Sequence, residues 1–161
     1  MRFLTPIYLF VILAILSACN SSDECRDKTS VNAQLGFYSK TINSSTNKTL
    51  ISSLAVDSIW VQGLSKDSFI YRDKKNQKSI LIPLNSTVEY TNYTVRFNEK
   101  TDTITLFHQN NDQYYLSLEC GCIVAHTIDE VVTTQHFIDS VSIVRPEINN
   151  TNIENVQIYH F

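Results

Sequence analysis

Period-two alternation of apolar and polar residues, repeated in short runs between polar turns, constrains this chain more than any other feature. The first such run places Val31, Ala33, Leu35 and Phe37 at every second position, and similar runs recur to the end of the chain. Composition agrees, since Val, Ile and Thr together number 44 whereas Ala numbers five. Because β-branched side chains favour strands and Ala favours helices, the sequence predicts an all-β protein.

The alternation predicts an antiparallel β-sandwich of about eight strands, either immunoglobulin-like or a partly closed barrel. Each run has one apolar face and one face rich in Ser, Thr and Asn, which is typical of a sheet with one side on a core. Pro83 cannot donate to a ladder, so its run is predicted either to lie at an edge or to end at a bulge. The runs are 31–37, 56–62, 68–71, 79–84, 93–98, 103–107, 114–124, 137–144 and 153–161, with turns predicted at 43–47, 73–77, 99–102 and 110–112. The segment 127–135 fits either a loop or one short helix.

The first nineteen residues predict export and a lipid anchor. Residues 7–16 form an unbroken run of ten apolar residues after a positive start, which suits a signal peptide and is too short for a membrane span of about 20 residues. The sequence Leu16-Ser17-Ala18-Cys19 resembles a bacterial lipobox, in which a peptidase cuts before the cysteine. The resemblance implies a signal peptide at 1–18, an acylated Cys19, a tether at 19–28 and a β-sandwich domain at 29–161.

The expected partner of this N-terminus is the lipid bilayer, because two or three acyl chains on one cysteine hold a protein firmly. We expect an outer-membrane anchor, with the domain facing either the periplasm or the cell surface. Asp23 and Glu24 loosely resemble a surface-export signal and leave both orientations open. A net charge of −3 and the absence of a basic footprint exclude nucleic acid as a partner.

Three cysteines remain once Cys19 is lipidated. In an oxidising compartment we expect a disulfide. Cys120 and Cys122 fall on the same face of one predicted strand, with Cα atoms about 6.6 Å apart, near the upper limit for a bridge. Cys25 paired with either Cys120 or Cys122 is therefore the preferred bridge.

A sharper interpretation makes Cys120 and Cys122 a redox dithiol, or a metal site with His126 or His136. A redox thiolate needs an electropositive, partly exposed environment, whereas this pair lies in an apolar row. Zinc sites favour a second ligand pair at short spacing, which the single histidines do not supply. We therefore expect no metal and no cofactor.

Catalytic residues are equally hard to assign. The three glycines are scattered, which excludes a phosphate-binding loop, and no Gly-x-Ser-x-Gly elbow occurs. His108 fits a strand face better than a ligand. Tyr90, Tyr93, Tyr114 and Tyr115 could line a sugar- or peptide-binding face, or simply pack across strands. The sequence predicts a non-enzymatic protein.

The lipobox, the nearby Cys25, the run Leu118-Glu119-Cys120-Gly121-Cys122 and the segment Asp139–Val144 before a final strand resemble small uncharacterised β-sandwich lipoproteins of Bacteroidetes-type bacteria. The resemblance implies the same sandwich and anchor, and no established activity. The leading hypothesis is an envelope module that binds a protein or glycan partner or supports an outer-membrane assembly. The alternative is a thiol-redox or metal-handling protein that uses Cys120 and Cys122.

Overall fold

The computed structural model describes residues 31–118 and 120–160, with the side chains of 112–114 left out. The predicted signal peptide and the whole predicted tether, including Cys19 and Cys25, lie outside these residues. The described chain forms eleven strands: β1 (Asn32–Asn43), β2 (Lys48–Ser53), β3 (Val56–Gly63), β4 (Phe69–Gln77), β5 (Ser79–Pro83), β6 (Tyr90–Phe97), β7 (Lys100–Ser117), β8 (Gly121–Thr133), β9 (Ser140–Ile143), β10 (Glu147–Ile148) and β11 (Glu154–His160).

The strands form two sheets that pack face to face, which confirms the predicted all-β sandwich. The first sheet has the order β2-β1-β11-β9, and β5 also pairs with β1; the second has the order β10-β8-β7-β6-β3-β4. Pairing is antiparallel except between β1 and β11, which run parallel. Within the described chain the sheets do not close into a barrel. The edge position predicted from Pro83 is correct, because β5 pairs only with β1.

The core lies between the two sheets and is built from the inward positions of the alternating runs. Phe37 and Phe97 meet edge to face across it, with ring centroids 5.6 Å apart, a favoured aromatic geometry. The other fully buried large apolar side chains are Leu35, Ile59, Ile80, Ile82, Ile104, Leu106, Ile138, Ile148 and Ile158. The alternation that predicts β1 therefore identified its buried face, since Ala33, Leu35 and Phe37 are all buried.

Two of the predicted turns are β-bulges inside continuous strands. Residues 73–77 belong to β4, where Asp73 and Asn76 adopt positive φ angles of 48° and 52°. Residues 110–112 belong to β7, whose register against β8 shifts between Asn110 and Gln113. Asn and Asp tolerate the left-handed conformation, so the same residues suit a bulge or a turn. Sequence pattern does not separate the two.

The prediction for the cysteine-bearing strand was also wrong. Cys120 lies in the turn between β7 and β8, and Cys122 lies on β8 opposite Tyr115. Gly121 has a φ angle of +71° and a Cβ there would meet nothing within 4 Å. A glycine in this conformation reverses the chain at low cost, which splits the predicted long strand into a hairpin. The undecided segment 127–135 is mostly strand, because β8 continues to Thr133.

Asp102 determines the structure at the end of the sandwich where β6 turns into β7. The turn itself is Asn98-Glu99, because Phe97 pairs with Lys100, so Asp102 lies within β7 rather than in the predicted turn. Its carboxylate is fully buried and accepts hydrogen bonds from the backbone N–H groups of His136, Phe137 and Ile138 at 2.7–3.0 Å. Burial raises the pKa of Asp102, but these backbone hydrogen bonds outweigh it and hold the pKa below its usual value. The carboxylate thereby fixes the connection between β8 and β9.

Candidate functional site

A groove lies at the other end of β6, where the first sheet meets the second. Its volume is about 680 Å³, within the range of ligand-binding pockets. The β3–β4 connection forms one wall, and the end of β5 with the β5–β6 segment forms the other. The groove is lined by Gly63, Leu64, Ser65, Lys66, Ser68, Ile70, Pro83, Leu84, Asn85, Val88, Tyr90, Thr91, Asn92 and Tyr93.

Large apolar side chains in the groove are unusually exposed. Leu64 is 49% exposed, Tyr90 50%, Ile70 41% and Val88 37%. Single exposed apolar residues are common on protein surfaces, whereas a cluster of four around one cavity is typical of a binding surface. Lys66 is the only charged residue in the lining.

Asn92 contributes an unpaired polar atom to this apolar surrounding. Its Oδ1 is buried and has no hydrogen-bond partner among the described residues. Most buried polar atoms in folded proteins are paired, and an unpaired one costs roughly 1–3 kcal/mol. The groove therefore has an unpaired acceptor buried beneath its lining, which a ligand N–H or O–H reaches only if the surrounding side chains shift.

The walls of the groove are held by specific hydrogen bonds. The Tyr93 hydroxyl donates to the carbonyl oxygen of Pro83 and so ties the second sheet to the first; burial raises the pKa of Tyr93 to about 12, so it remains a donor. The backbone N–H of Asn85 donates to Thr91 Oγ1, and the Asn85 side chain accepts from the N–H and hydroxyl of Thr87. These contacts form the groove before any ligand arrives.

A buried histidine pair supports the groove from behind. His108 and His126 are 1% and 3% exposed, with ring centroids 5.1 Å apart. His108 Nε2 lies 2.9 Å from Thr91 Oγ1 on the groove wall, and His126 Nδ1 lies 2.8 Å from Asn110 Oδ1. Burial lowers the pKa of both rings, and the neighbouring His108 lowers that of His126 further, to about 4. Both rings are therefore neutral at pH 7 and serve as packed polar side chains.

The cysteines predicted as a redox pair are in different states. Cys120 is disulfide-bonded, whereas Cys122 is a free, exposed thiol. The partner of Cys120 is therefore not among the described residues. The structure does not join Cys120 to Cys122.

The histidines predicted as metal ligands are also separated by environment. His126 is buried against Asn110, and His136 is an exposed side chain 3.2 Å from the Asp102 carboxylate. Among the described residues, no group of three or more His, Cys, Asp or Glu is placed to hold a metal ion. The part of the chain that the structure describes also contains no helix long and apolar enough to span a bilayer.

The predicted tyrosine face is only partly assembled. Tyr90 and Tyr93 both line the groove, whereas Tyr115 is 62% exposed on the β7–β8 hairpin. The side chain of Tyr114 lies outside the described part. Leu64 and Val88 could not be identified from the sequence, because an isolated apolar residue in a polar loop carries no periodicity. The position of each residue in a segment between predicted strands was the only available signal.

Comparison with known proteins yields a family and no individual relative. No curated protein matches the chain, and neither does any solved structure. One family model, described as "Family of unknown function (DUF6452)", matches residues 58–160. The match begins within β3 and continues through β11, so it includes the groove, the histidine pair and Cys120. Since it covers well over half of the sequence, the chain belongs to the DUF6452 family of unknown function.

Proposed function

We propose that this protein is an exported lipoprotein, anchored in the outer membrane through acylated Cys19, whose β-sandwich binds a ligand in the groove at the sheet junction. The domain faces the periplasm or the cell surface and is not an enzyme. The observation that carries the binding role is the groove itself: four exposed apolar side chains surround one cavity that also holds an unpaired acceptor.

The chemistry of the groove favours an extended ligand with both apolar and hydrogen-bonding groups. Burying the exposed parts of Leu64, Val88 and Tyr90 contributes about 25 cal/mol for each Å² removed from water. A glycan hydroxyl or a peptide N–H that displaces the side chains covering Asn92 Oδ1 would supply the donor that this atom lacks. A protein segment or a glycan of the envelope provides both features.

Preorganisation supports a binding role further. The groove walls are fixed by the Tyr93–Pro83 and Asn85–Thr91 hydrogen bonds, so little conformational entropy is lost when a ligand enters. Binding sites are commonly found where a rigid scaffold presents loop residues in this way.

The groove experiment compares two variants in the full-length lipoprotein, held in detergent micelles. Leu64→Ser combined with Val88→Ser removes the apolar walls, whereas Ile42→Ser removes a more exposed apolar side chain from β1, outside the groove. We expect the wild type to bind members of an oligosaccharide array or an extended-peptide array, the double variant to bind about tenfold more weakly, and Ile42→Ser to bind normally. Failure of the wild type on both arrays, or equal losses in both variants, would exclude the groove as the site.

The anchor experiment compares Cys19→Ser with Cys25→Ser. Because only Cys19 follows the lipobox, Cys19→Ser should move the protein from the membrane fraction to the soluble fraction and abolish labelling by a palmitate analogue. Cys25→Ser should leave both readouts unchanged. Retention of the Cys19→Ser variant in membranes would contradict the anchor.

We assign Cys25 as the disulfide partner of Cys120. The support is that Cys120 is bonded, Cys122 is free, and thioether formation at Cys19 leaves Cys25. A thiol-redox or metal-handling role would need Cys120 and Cys122 to act together, so the same observation favours the binding module. Non-reducing peptide mapping should recover a peptide pair containing Cys25 and Cys120; a Cys120–Cys122 bridge would revive the redox alternative.

A further inference from the structure

The outer face of the second sheet carries a cluster of two guanidinium groups over two aromatic rings. Trp60 on β3 lies directly opposite Arg96 on β6, and the Arg96 guanidinium lies 4.4 Å from the Trp60 ring centroid. Phe69 packs edge-on against Trp60 at 5.4 Å. Arg72 lies 5.3 Å from the centroid of Phe69 and 6.0 Å from that of Trp60. These four residues form the arginine–aromatic cluster.

Neither arginine of the cluster has an acidic partner within the described chain. Arg96 acts electrostatically on the Asp73 carboxylate, whose Oδ1 is bound by Lys75 Nζ and Ser58 Oγ, each at 2.6 Å. Salt bridges among the described residues involve other groups. The guanidinium groups therefore lie over the rings and donate to no acceptor among the described residues.

The cluster lies on a locally cationic edge of an acidic protein. Residues 72–78 contain Arg72, Lys74, Lys75 and Lys78 against a single acid, although the whole chain has a net charge of −3. The basic residues of 72–75 belong to the edge strand β4 rather than to the turn predicted at 73–77. A strand holds these side chains at fixed spacing, which a solvated turn would not do.

The part of this face next to the cluster is polar and rich in hydroxyl groups. Gln62, Thr94 and Thr103 form the adjacent cross-strand row, and Thr101 continues the row of Trp60 and Arg96. Residues directly opposite one another in a sheet project from the same face. Hydroxyl and amide groups bind sugar hydroxyls well, and the other exposed apolar side chains of this face, Tyr90, Phe107 and Val132, lie towards the opposite end of β6 from Arg96.

We propose that the arginine–aromatic cluster binds an acidic polysaccharide, with the guanidinium groups on its carboxylate or sulfate oxygens and the sugar rings against the aromatic side chains. Guanidinium forks match such oxyanions in bidentate geometry, and aromatic faces stack on flat apolar surfaces. The site is separate from the groove and does not depend on a ligand there. It assigns a chemical class of ligand to a face that the proposed function leaves unused.

The sole tryptophan of the chain makes a direct test available. Trp60 emission of the full-length protein is titrated with polygalacturonate, dextran sulfate and uncharged dextran at about 0.15 M ionic strength, where exposed charges are screened beyond about 8 Å. We expect either or both anionic polymers to shift the emission, which identifies carboxylate or sulfate as the preferred group. Dextran should have no effect.

Matched variants distinguish a site from general charge attraction. Arg96→Gln should weaken binding about tenfold, and Arg96→Lys, which keeps the charge but loses the fork, should give a smaller loss. Lys74→Gln removes the same charge from the same edge strand, but Lys74 lies opposite the core residue Ile59, on the other face, and should change affinity less than twofold. Arg96→Lys also keeps the test valid if Arg96→Gln fails to fold.

Several results would overturn the proposal. These are an unchanged Trp60 emission with both anionic polymers, equal binding of dextran, or equal losses in Lys74→Gln and Arg96→Gln. Equal or tighter binding of single-stranded DNA or of anionic phospholipid vesicles would show that the cluster attracts polyanions without selecting a glycan. Failure of the groove experiment leaves this outcome untouched, since the two tests use different residues and readouts.

Discussion

Buried polar groups are fully hydrogen-bonded at one end of β6 and unpaired at the other end. At the turn end, the Asp102 carboxylate is fully buried and accepts hydrogen bonds from three backbone N–H groups. At the groove end, Asn92 Oδ1 is buried with no partner, beside a cavity of about 680 Å³ lined by exposed apolar side chains. Both ends belong to the same hairpin and the same core.

The difference separates a structural site from a binding site. Folding alone favours complete pairing, because each unpaired buried group costs free energy. A site that departs from this rule is expected to be compensated by a ligand or to serve a function. The turn end therefore stabilises the sandwich, and the groove end is available for recognition.

Replacing Asp102 should produce the largest effect on stability. Asp102→Ala leaves three backbone N–H groups and the Thr134 hydroxyl without their acceptor, and we expect a loss of about 3 kcal/mol in the free energy of unfolding. Urea denaturation measures it. Asp57→Ala, an exposed carboxylate on β3, is the control and should change stability by less than about 0.5 kcal/mol. Equal losses of stability in Asp102→Ala and Asp57→Ala would contradict the structural role of the turn end.

Mild acid should lower the free energy of unfolding, because it favours protonation of the histidine pair that lies buried behind the groove. The folded-state pKa of His126 is about 4, below the ordinary value of 6.5, so the unfolded chain binds more protons between these values. The stabilisation is complete above pH 6.5 and is lost as the pH falls towards 4. We expect the free energy of unfolding to drop by about 2 kcal/mol between pH 7 and pH 5.

Two variants make this pH dependence specific. His126→Gln should remove more than half of the drop between pH 7 and pH 5, whatever its effect on stability at pH 7. His136→Gln changes an exposed side chain at the turn end and should retain the wild-type slope. An unchanged slope in His126→Gln would show that the buried pair does not control acid sensitivity.

Replacing Asn92 should have the smallest effect on stability, and the effect should be a gain rather than a loss. Asn92→Leu removes an unpaired buried acceptor, so thermal unfolding should show a gain of up to about 1 kcal/mol, together with weaker ligand binding in the groove. Asn85→Ala is the control at the same groove, because its side chain accepts hydrogen bonds from Thr87; it should lose about 0.5 kcal/mol. If Asn92→Leu instead lowers the free energy of unfolding, Asn92 belongs with the residues that stabilise the fold.

The predictable part of the site was small. Tyr90 and Tyr93 were candidates for a binding face and do line the groove, because aromatic residues at strand positions suggest surfaces of that kind. Leu64 and Val88 come from two connections between strands that no local pattern links. The arginine–aromatic cluster was missed for the same reason, since Trp60 and Arg96 are 36 residues apart and meet only through the β3–β6 register.

The arrangement of the cysteines was likewise not predictable from local sequence. Spacing alone placed Cys120 and Cys122 on one face of a strand, whereas the positive φ of Gly121 reverses the chain between them. A glycine in a sequence permits several conformations, so Gly121 does not by itself specify a chain reversal. Pairing of β7 with β8 selects the hairpin among them.

The sequence by itself determined that this protein is all-β and which side chains of β1 face the core, because period-two alternation is a local property that burial on one sheet face imposes directly. Only the tertiary structure decided which polar clusters form turns and which form bulges, and which loops and strands come together. Those outcomes depend on register between segments far apart in the chain. Burial and hydrogen bonding at Asp102, at the groove and at the arginine–aromatic cluster follow from that register.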